Sequence, residues 1–313
     1  MRISFVLQTY RSPGQIGRLV EALDRDCSDS LIVVAHSGPL SGLAGLACRN
    51  RIDHLLPAAP ARGRFGLIDS YLCALRWLRR QPRAYDWIVL LSGQDYPIRP
   101  LPELRATLEQ SVVDGYFHHF DPLTENPDRS GPMAWPRREG ADRYLFRYRF
   151  LTDELTTLER ALLNIPRRLL GLTRSYRLNT SFGLGVGRRA DATPFSPAFR
   201  LYAGSYWHII RRECAEAVLD FVDANPRTVE YFRQLVLPDE CFIQTILLND
   251  RAFRVSAQDL RYFDFRGSRH GHARTLGPTD LDAAFASGCF FGRKFDDVLH
   301  PQVFDLLDAR LRA

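Results

Sequence analysis

The chain reads as an α/β protein built on a mostly parallel sheet flanked by helices, on three observations. A strand–helix–strand unit opens the sequence. The run Trp87–Leu91, the clearest buried strand, ends directly in a polar turn. The composition is globular, with 45% hydrophobic and 25% charged residues among 313. Strands alternating with helices imply a parallel sheet covered on its faces, and the composition excludes disordered, collagen-like and low-complexity architectures.

In chain order, Ile3–Leu7 is a short buried strand. Ser12 and Pro13 suit an N-cap and first helical position, and Ile16, Leu19, Val20 and Leu23 follow at helical spacing. Leu31–Ala35 is the second strand. Residues 53–65, rich in Pro, Ala and Arg, read as loop. The spacing predicts a helix over Leu67–Arg80, with Leu67, Tyr71, Ala74, Leu75 and Leu78 on one face. Residues 121–143 read as a long loop, and 153–176 as a basic helical stretch interrupted at Pro166. Ala203–Ile210 is a strand candidate, Val229–Val236 and Pro238–Leu248 are helices, and a short helix starts near Pro301. With no internal repeat or linker, 1–313 is expected to be one domain, with 121–176 as an insertion.

Basic residues exceed acidic ones by six, which favours an anionic ligand or surface without requiring nucleic acid. Of 42 basic residues, only Lys294 is lysine. The six cysteines form no CxxC pair and no zinc-spaced cluster, so a reducing compartment is expected. The first apolar run is too short for a signal sequence, and no run reaches the length of a membrane span. A soluble, cytoplasmic protein, at most peripheral to a membrane, is the expectation.

Four segments carry chemistry. Ligands of open α/β sheets bind beyond the carboxyl ends of strands, which is where Asp95 falls; a turn aspartate bonding nearby amides is the plain alternative. Asp239 and Glu240 follow Pro238 at the start of an apolar helix. Two acids there match ordinary helix initiation, yet a carboxylate at the mouth of a buried helix is also partly desolvated and suited to a general base. Arg293 and Lys294 lie among Phe290, Phe291 and Phe295, where a planar fork and a point charge could hold a diphosphate; a solvated basic patch is the alternative. Gly204-Ser205-Tyr206-Trp207 suits either a sugar-binding shelf or a buried strand.

Together these segments resemble the core-2/I-branching β-1,6-N-acetylglucosaminyltransferase and peptide O-xylosyltransferase family. The shared patterns are Leu-Ser-x-x-Asp-Tyr-Pro-Ile-Arg at 91–99, Gly-Ser-x-Trp at 204–207, Pro-x-Glu-x-Phe-x-x-Thr-x-Leu at 238–247 and Phe-x-Arg-Lys-Phe at 291–295. The resemblance implies a GT-A-like fold with a Rossmann-like nucleotide-binding half and an inverting, UDP-sugar-dependent glycosyltransferase. It implies Glu240 as catalytic base and Arg293 and Lys294, in the C-terminal segment 289–313, as the cations on the leaving diphosphate. Asp95, Ser205, Tyr206 and Trp207 would line the donor site, and 121–176 the acceptor side. No metal or other cofactor is expected. The only Asp-x-Asp triplets are Asp24-Arg25-Asp26 and Asp280-Leu281-Asp282, and neither follows a buried strand.

Two positions depart from the family pattern. His36 stands where members often end the second strand in His-Val-Asp, and Tyr206 stands where xylosyltransferase-like members carry Asp. Eukaryotic members carry an N-terminal membrane anchor that this sequence lacks, so a bacterial, cytoplasmic enzyme is expected, taking GlcNAc or xylose to a glycan, lipid-linked or peptide hydroxyl. One alternative is a nucleotide-sugar or glycan-binding protein that keeps the fold without turnover. Another is a membrane- or RNA-surface protein using the arginines of 136–176, which also suit peripheral membrane attachment; nucleic acid is not expected as a partner.

Overall fold

A computed structural model describes residues 1–27, 29–37, 52–55 (backbone only), 62–81, 85–124, 135, 138–266 and 273–312. The strands are β1 (Ile3–Thr9), β2 (Leu31–His36), β3 (Ile52–Leu55), β4 (Trp87–Ser92), β5 (Tyr96–Pro97), β6 (Gly115–Tyr116), β7 (His119–Phe120), β8 (Phe146–Phe150), β9 (Tyr176–Asn179), β10 (Gly185–Arg189), β11 (Ala203–Gly204), β12 (Ile209–Arg211), β13 (Val255–Ser256), β14 (Arg261–Phe263) and β15 (Phe291–Arg293). The helices are α1 (Pro13–Asp26), α2 (Gly66–Arg79), α3 (Leu101–Glu109), α4 (Glu139–Tyr144), α5 (Thr157–Leu162), α6 (Asn164–Leu172), α7 (Arg212–Ala224), α8 (Pro226–Arg233), α9 (Phe242–Asn249), α10 (Leu281–Ala286) and α11 (Gln302–Arg312).

The central sheet runs β13-β6-β12-β4-β1-β2-β3, and β12 alone is antiparallel to its neighbours. The mostly parallel α/β sheet read from the sequence is therefore present. Its strands are apolar throughout because both faces are covered. Ile3, Phe5, Leu7, Val89 and Leu91 pack on one side with α1, α3 and α11. Val6, Val33, Ile88 and Leu90 pack on the other with α2, α7 and α9. Since α1 and α2 cover opposite faces, the connections diverge at β1 and β4. In such sheets ligands usually bind beyond the carboxyl ends of the strands at this divergence.

Several local expectations need correcting. Residues 52–55 form β3, parallel to β2, rather than loop; four residues give too little periodicity to read. Ser12 lies in left-handed backbone and makes no side-chain cap, although Pro13 does open α1. The break in the basic stretch falls at Leu163, not Pro166. Pro166 sits in the first turn of α6, where a missing N–H costs nothing. The 203–210 strand is split: β11 pairs with β7, and β12 joins the main sheet. Asp239 and Glu240 lie in a separate 3₁₀ turn, Pro238–Glu240, ahead of α9. Within the loop expected at 121–143, residues 139–144 form α4, while 125–134, 136 and 137 lie outside the described residues. Cys73 is exposed, and Cys48 lies outside the described residues.

Candidate active site

The turn after β4 carries Asp95. Asp95 is 0% exposed. Its Oδ2 accepts from the Ser92 backbone N–H at 2.6 Å and from the Ser92 hydroxyl. Two guanidiniums share the carboxylate, Arg261 from β14 at 2.8 Å and Arg293 from β15 at 3.2 Å. Arg261 also donates to the Leu90 carbonyl at 2.8 Å. The Arg293 guanidinium lies over the Trp207 ring, 4.1 Å from its centroid. Two cations on one buried carboxylate leave net positive charge at this turn.

Lys294 follows directly. Its segment is pinned by bonds from the Phe295 N–H to the Gln94 carbonyl (2.9 Å) and from the Leu276 N–H to the Lys294 carbonyl (2.7 Å). Gln15 donates to both the Gly93 and Phe295 carbonyls. The half-buried Lys294 ammonium has no ion-pair partner among the described residues. Burial, then Arg293, Arg62 and Arg11, push its pKa down to about 8. Burial likewise lowers Arg293, to about 10.

The 3₁₀ turn Pro238–Glu240 carries Glu240. Its carboxylate accepts from Arg143 of α4. Arg143 also donates to Glu139 at 2.6 Å and lies over the Trp135 ring at 4.2 Å. Burial raises the pKa of Glu240, and Arg143 opposes that rise. The adjacent Asp239 is pushed up to about 7 by burial first and then by the charge of Glu240. The turn is fixed by the Leu237 N–H donating to the Gly63 carbonyl at 2.9 Å. Gly63 is at φ +71°, and a Cβ there would meet the Phe182 ring at 2.5 Å, so only glycine fits this tie.

The Gly-Ser-x-Trp segment is anchored from α9, where the Gln244 amide donates to the Ser205 carbonyl at 2.5 Å. The structure divides the expected shelf. Tyr206 is buried with its hydroxyl donating to the Leu67 carbonyl at 3.3 Å, Ser205 is buried, and Trp207 faces Arg293. His36, at the end of β2, is buried with its Nδ1 2.8 Å from the Thr9 hydroxyl.

Sequence reasoning missed Arg261 as the second cation on Asp95, and Arg143 as the partner of Glu240. Among 41 arginines neither stands out by type. A charge inside the apolar run Leu260-Arg261-Tyr262-Phe263 was the one available signal. The buried triad predicts a stability effect. Removing one partner of a buried ion pair costs about 3–5 kcal/mol, so Asp95→Asn should lower the unfolding free energy by that order, read as a lower urea midpoint. An unchanged midpoint would mean that the two guanidiniums find their counter-charge elsewhere.

The family model for Core-2/I-Branching enzymes matches residues 178–287. That stretch holds Ser205–Trp207, Glu240 and Arg261, so the resemblance drawn from the four motifs is met over this part of the chain. A curated relative, the beta-glucuronosyltransferase GlcAT14A of Arabidopsis thaliana, is 23% identical over 233 residues, or 73% of this chain. The chain spans 44% of that relative's length. Mouse xyloside xylosyltransferase 1 in its apo form aligns with 93% of this chain and 97% of its own, at 10% identity and a TM-score of 0.38. Residues 178–287 are thus similar to core-2/I-branching enzymes, and the chain has a mixed α/β fold with the mostly parallel sheet expected from the sequence.

Proposed function

We propose that the protein is an inverting glycosyltransferase that moves a sugar from a UDP-sugar to an acceptor hydroxyl. One observation carries the reading: Arg293, over Trp207 and on the buried Asp95 that it shares with Arg261, is followed directly by Lys294, which has no ion-pair partner among the described residues, so the pair is under-neutralised just beyond β4. Such a site suits a diphosphate, with the guanidinium as fork and the ammonium as point charge.

In the proposed reaction, the Glu240 carboxylate takes the acceptor hydroxyl's proton. The hydroxyl oxygen forms its bond to the anomeric carbon on the face opposite UDP. The bond from that carbon to the β-phosphate oxygen breaks, and its electron pair leaves on the diphosphate. Arg293 and Lys294 meet the charge that develops there, an effect strongest where donors are already in place. Arg143 keeps Glu240 ionised and aimed. The donor sugar is GlcNAc or xylose by the motif resemblance, and the name of the Arabidopsis relative adds glucuronic acid.

Side chains also meet the diphosphate charge in place of a divalent metal. The acid that follows β4, Asp95, is already shared by two guanidiniums and has no room for a cation. Turnover is therefore expected to survive excess EDTA with little loss. Loss on chelation, restored by manganese, would overturn the assignment of Arg293 and Lys294 as the diphosphate's counter-charge.

A further inference from the structure

α5 and α6 are separated by Leu163 alone, which keeps right-handed helical backbone, so residues 157–172 run as one nearly continuous helical stretch. At about 100° per residue, Leu158, Leu162, Ile165, Leu169 and Leu172 form one stripe. These five side chains are 61–84% exposed. Neither helix buries any residue, and the side turned towards the body is made by the half-buried Leu163 and Leu170. The apolar stripe of a surface helix ordinarily faces the core. Here a second stripe points away from it. A lone exposed leucine needs no explanation, whereas a contiguous row marks an interaction surface.

The charge around the stripe identifies its partner. Ion pairs in this region engage Arg143, Arg177 and Arg188. Arg160, Arg167, Arg168 and Arg174 have none among the described residues. Arg147 and Arg149 are exposed on β8, in the sheet that continues through β10 to β9, beside α6. By the same rotation Arg160 and Arg167 fall on the face opposite the leucines and Arg168 at the flank of the stripe, which is the layout of an interfacial helix with a basic polar face, and nucleic acid would leave the leucines wet. We infer that the α5–α6 stripe and its arginines dock on an anionic lipid bilayer, the leucines entering the interface and the guanidiniums meeting headgroup phosphates.

The docking face is tied to the site. Phe146 and Tyr148 of β8 pack with Val236, and the Tyr148 N–H donates to the Gln234 carbonyl at 2.7 Å. A docked lobe would therefore hold the Glu240 turn near lipid-borne hydroxyls. That delivery rests on the catalytic reading; the docking does not.

Flotation of the full chain with phosphatidylglycerol/phosphatidylcholine vesicles, and with phosphatidylcholine alone, tests this. The protein is expected to float with the anionic vesicles and to release as salt rises. Leu162→Gln/Ile165→Gln/Leu169→Gln and Arg160→Gln/Arg167→Gln/Arg168→Gln should each weaken partitioning about ten-fold or more. Both triple variants should melt as the wild type does, since they change exposed side chains. Three results would overturn the inference: no flotation of the wild type, equal flotation of the leucine variant, or a vesicle-free dimer in sedimentation velocity that the leucine variant abolishes, which would make the stripe an interface between copies.

Discussion

Glu240→Gln is expected to lower turnover by about 10²–10⁴-fold or more, the usual worth of general-base help, with UDP affinity largely kept. The substitution preserves shape, and the Gln carbonyl oxygen can still accept from Arg143, so the turn should hold. Only the proton acceptor is lost. The neighbouring Asp239 sharpens the test. Burial, then the charge of Glu240, push Asp239 up to about 7, and burial raises Glu240 against the opposing Arg143. Arg143 bonds Glu240, which makes Glu240 the member kept ionised. Steady-state UDP release and UDP titration of the variant separate kcat from binding. Near-normal turnover would move the base to Asp239.

Lys294→Ala should lower turnover by about 10²–10³-fold, as expected for loss of one preorganised charge-stabilising group, with the melting temperature maintained. Lys294→Arg should also be impaired. Phe295, the next residue, is fully buried, and the peptide on either side of Lys294 is pinned by backbone bonds. The larger guanidinium must therefore displace either the diphosphate or the packing around it. The same lysine sets a pH dependence. Its folded-state pKa, about 8, lies below the ordinary value because burial and Arg293, Arg62 and Arg11 disfavour the ammonium. The free site is thus fully charged below that pH and loses one positive charge as pH rises through it. UDP affinity should fall over the same interval, and the step should vanish in Lys294→Ala. A UDP titration of the wild type that stays flat from pH 7 to 9, or full activity in the alanine variant, would remove Lys294 from the site.

The parallel half of the fold was legible because its strands are buried on both faces. Ile3–Leu7, Leu31–Ala35 and Trp87–Leu91 therefore appear as unbroken apolar runs bounded by polar turns, and the helices between them show their period in Ile16, Leu19, Leu75 and Leu78. What was not legible depends on distant parts of the chain. The 203–210 run has the composition of one strand, yet Gly204 cannot carry a Cβ, which would fall 1.8 Å from the His118 carbonyl oxygen. That close approach ties β11 to β7, while Ile209 pairs with Val89 of β4. The acids 239 and 240 looked like the first turn of α9, but Leu237, at φ +51°, sets a separate turn before it.

The candidate site was half legible. Asp95, Glu240, Arg293 and Lys294 stood out by their position after a strand, before an apolar helix or among phenylalanines. Arg261 and Arg143 act through contacts across 166 and 97 residues of chain, and no local pattern marks such pairs. Their presence changes the physical account. Asp95 holds two cations in place, and Glu240 is bonded to a guanidinium rather than standing alone.

The central claim is that Arg293 and Lys294 hold the diphosphate of a UDP-sugar while Glu240 deprotonates the acceptor. Its most direct test is UDP release from UDP-GlcNAc, UDP-xylose and UDP-glucuronic acid, each with simple glycosides and a hydroxyl-bearing peptide. The account predicts release from one of these donors that an acceptor stimulates, that persists in EDTA and that Glu240→Gln abolishes. A UDP-sugar bound with no release in any combination would contradict it and leave a binding protein.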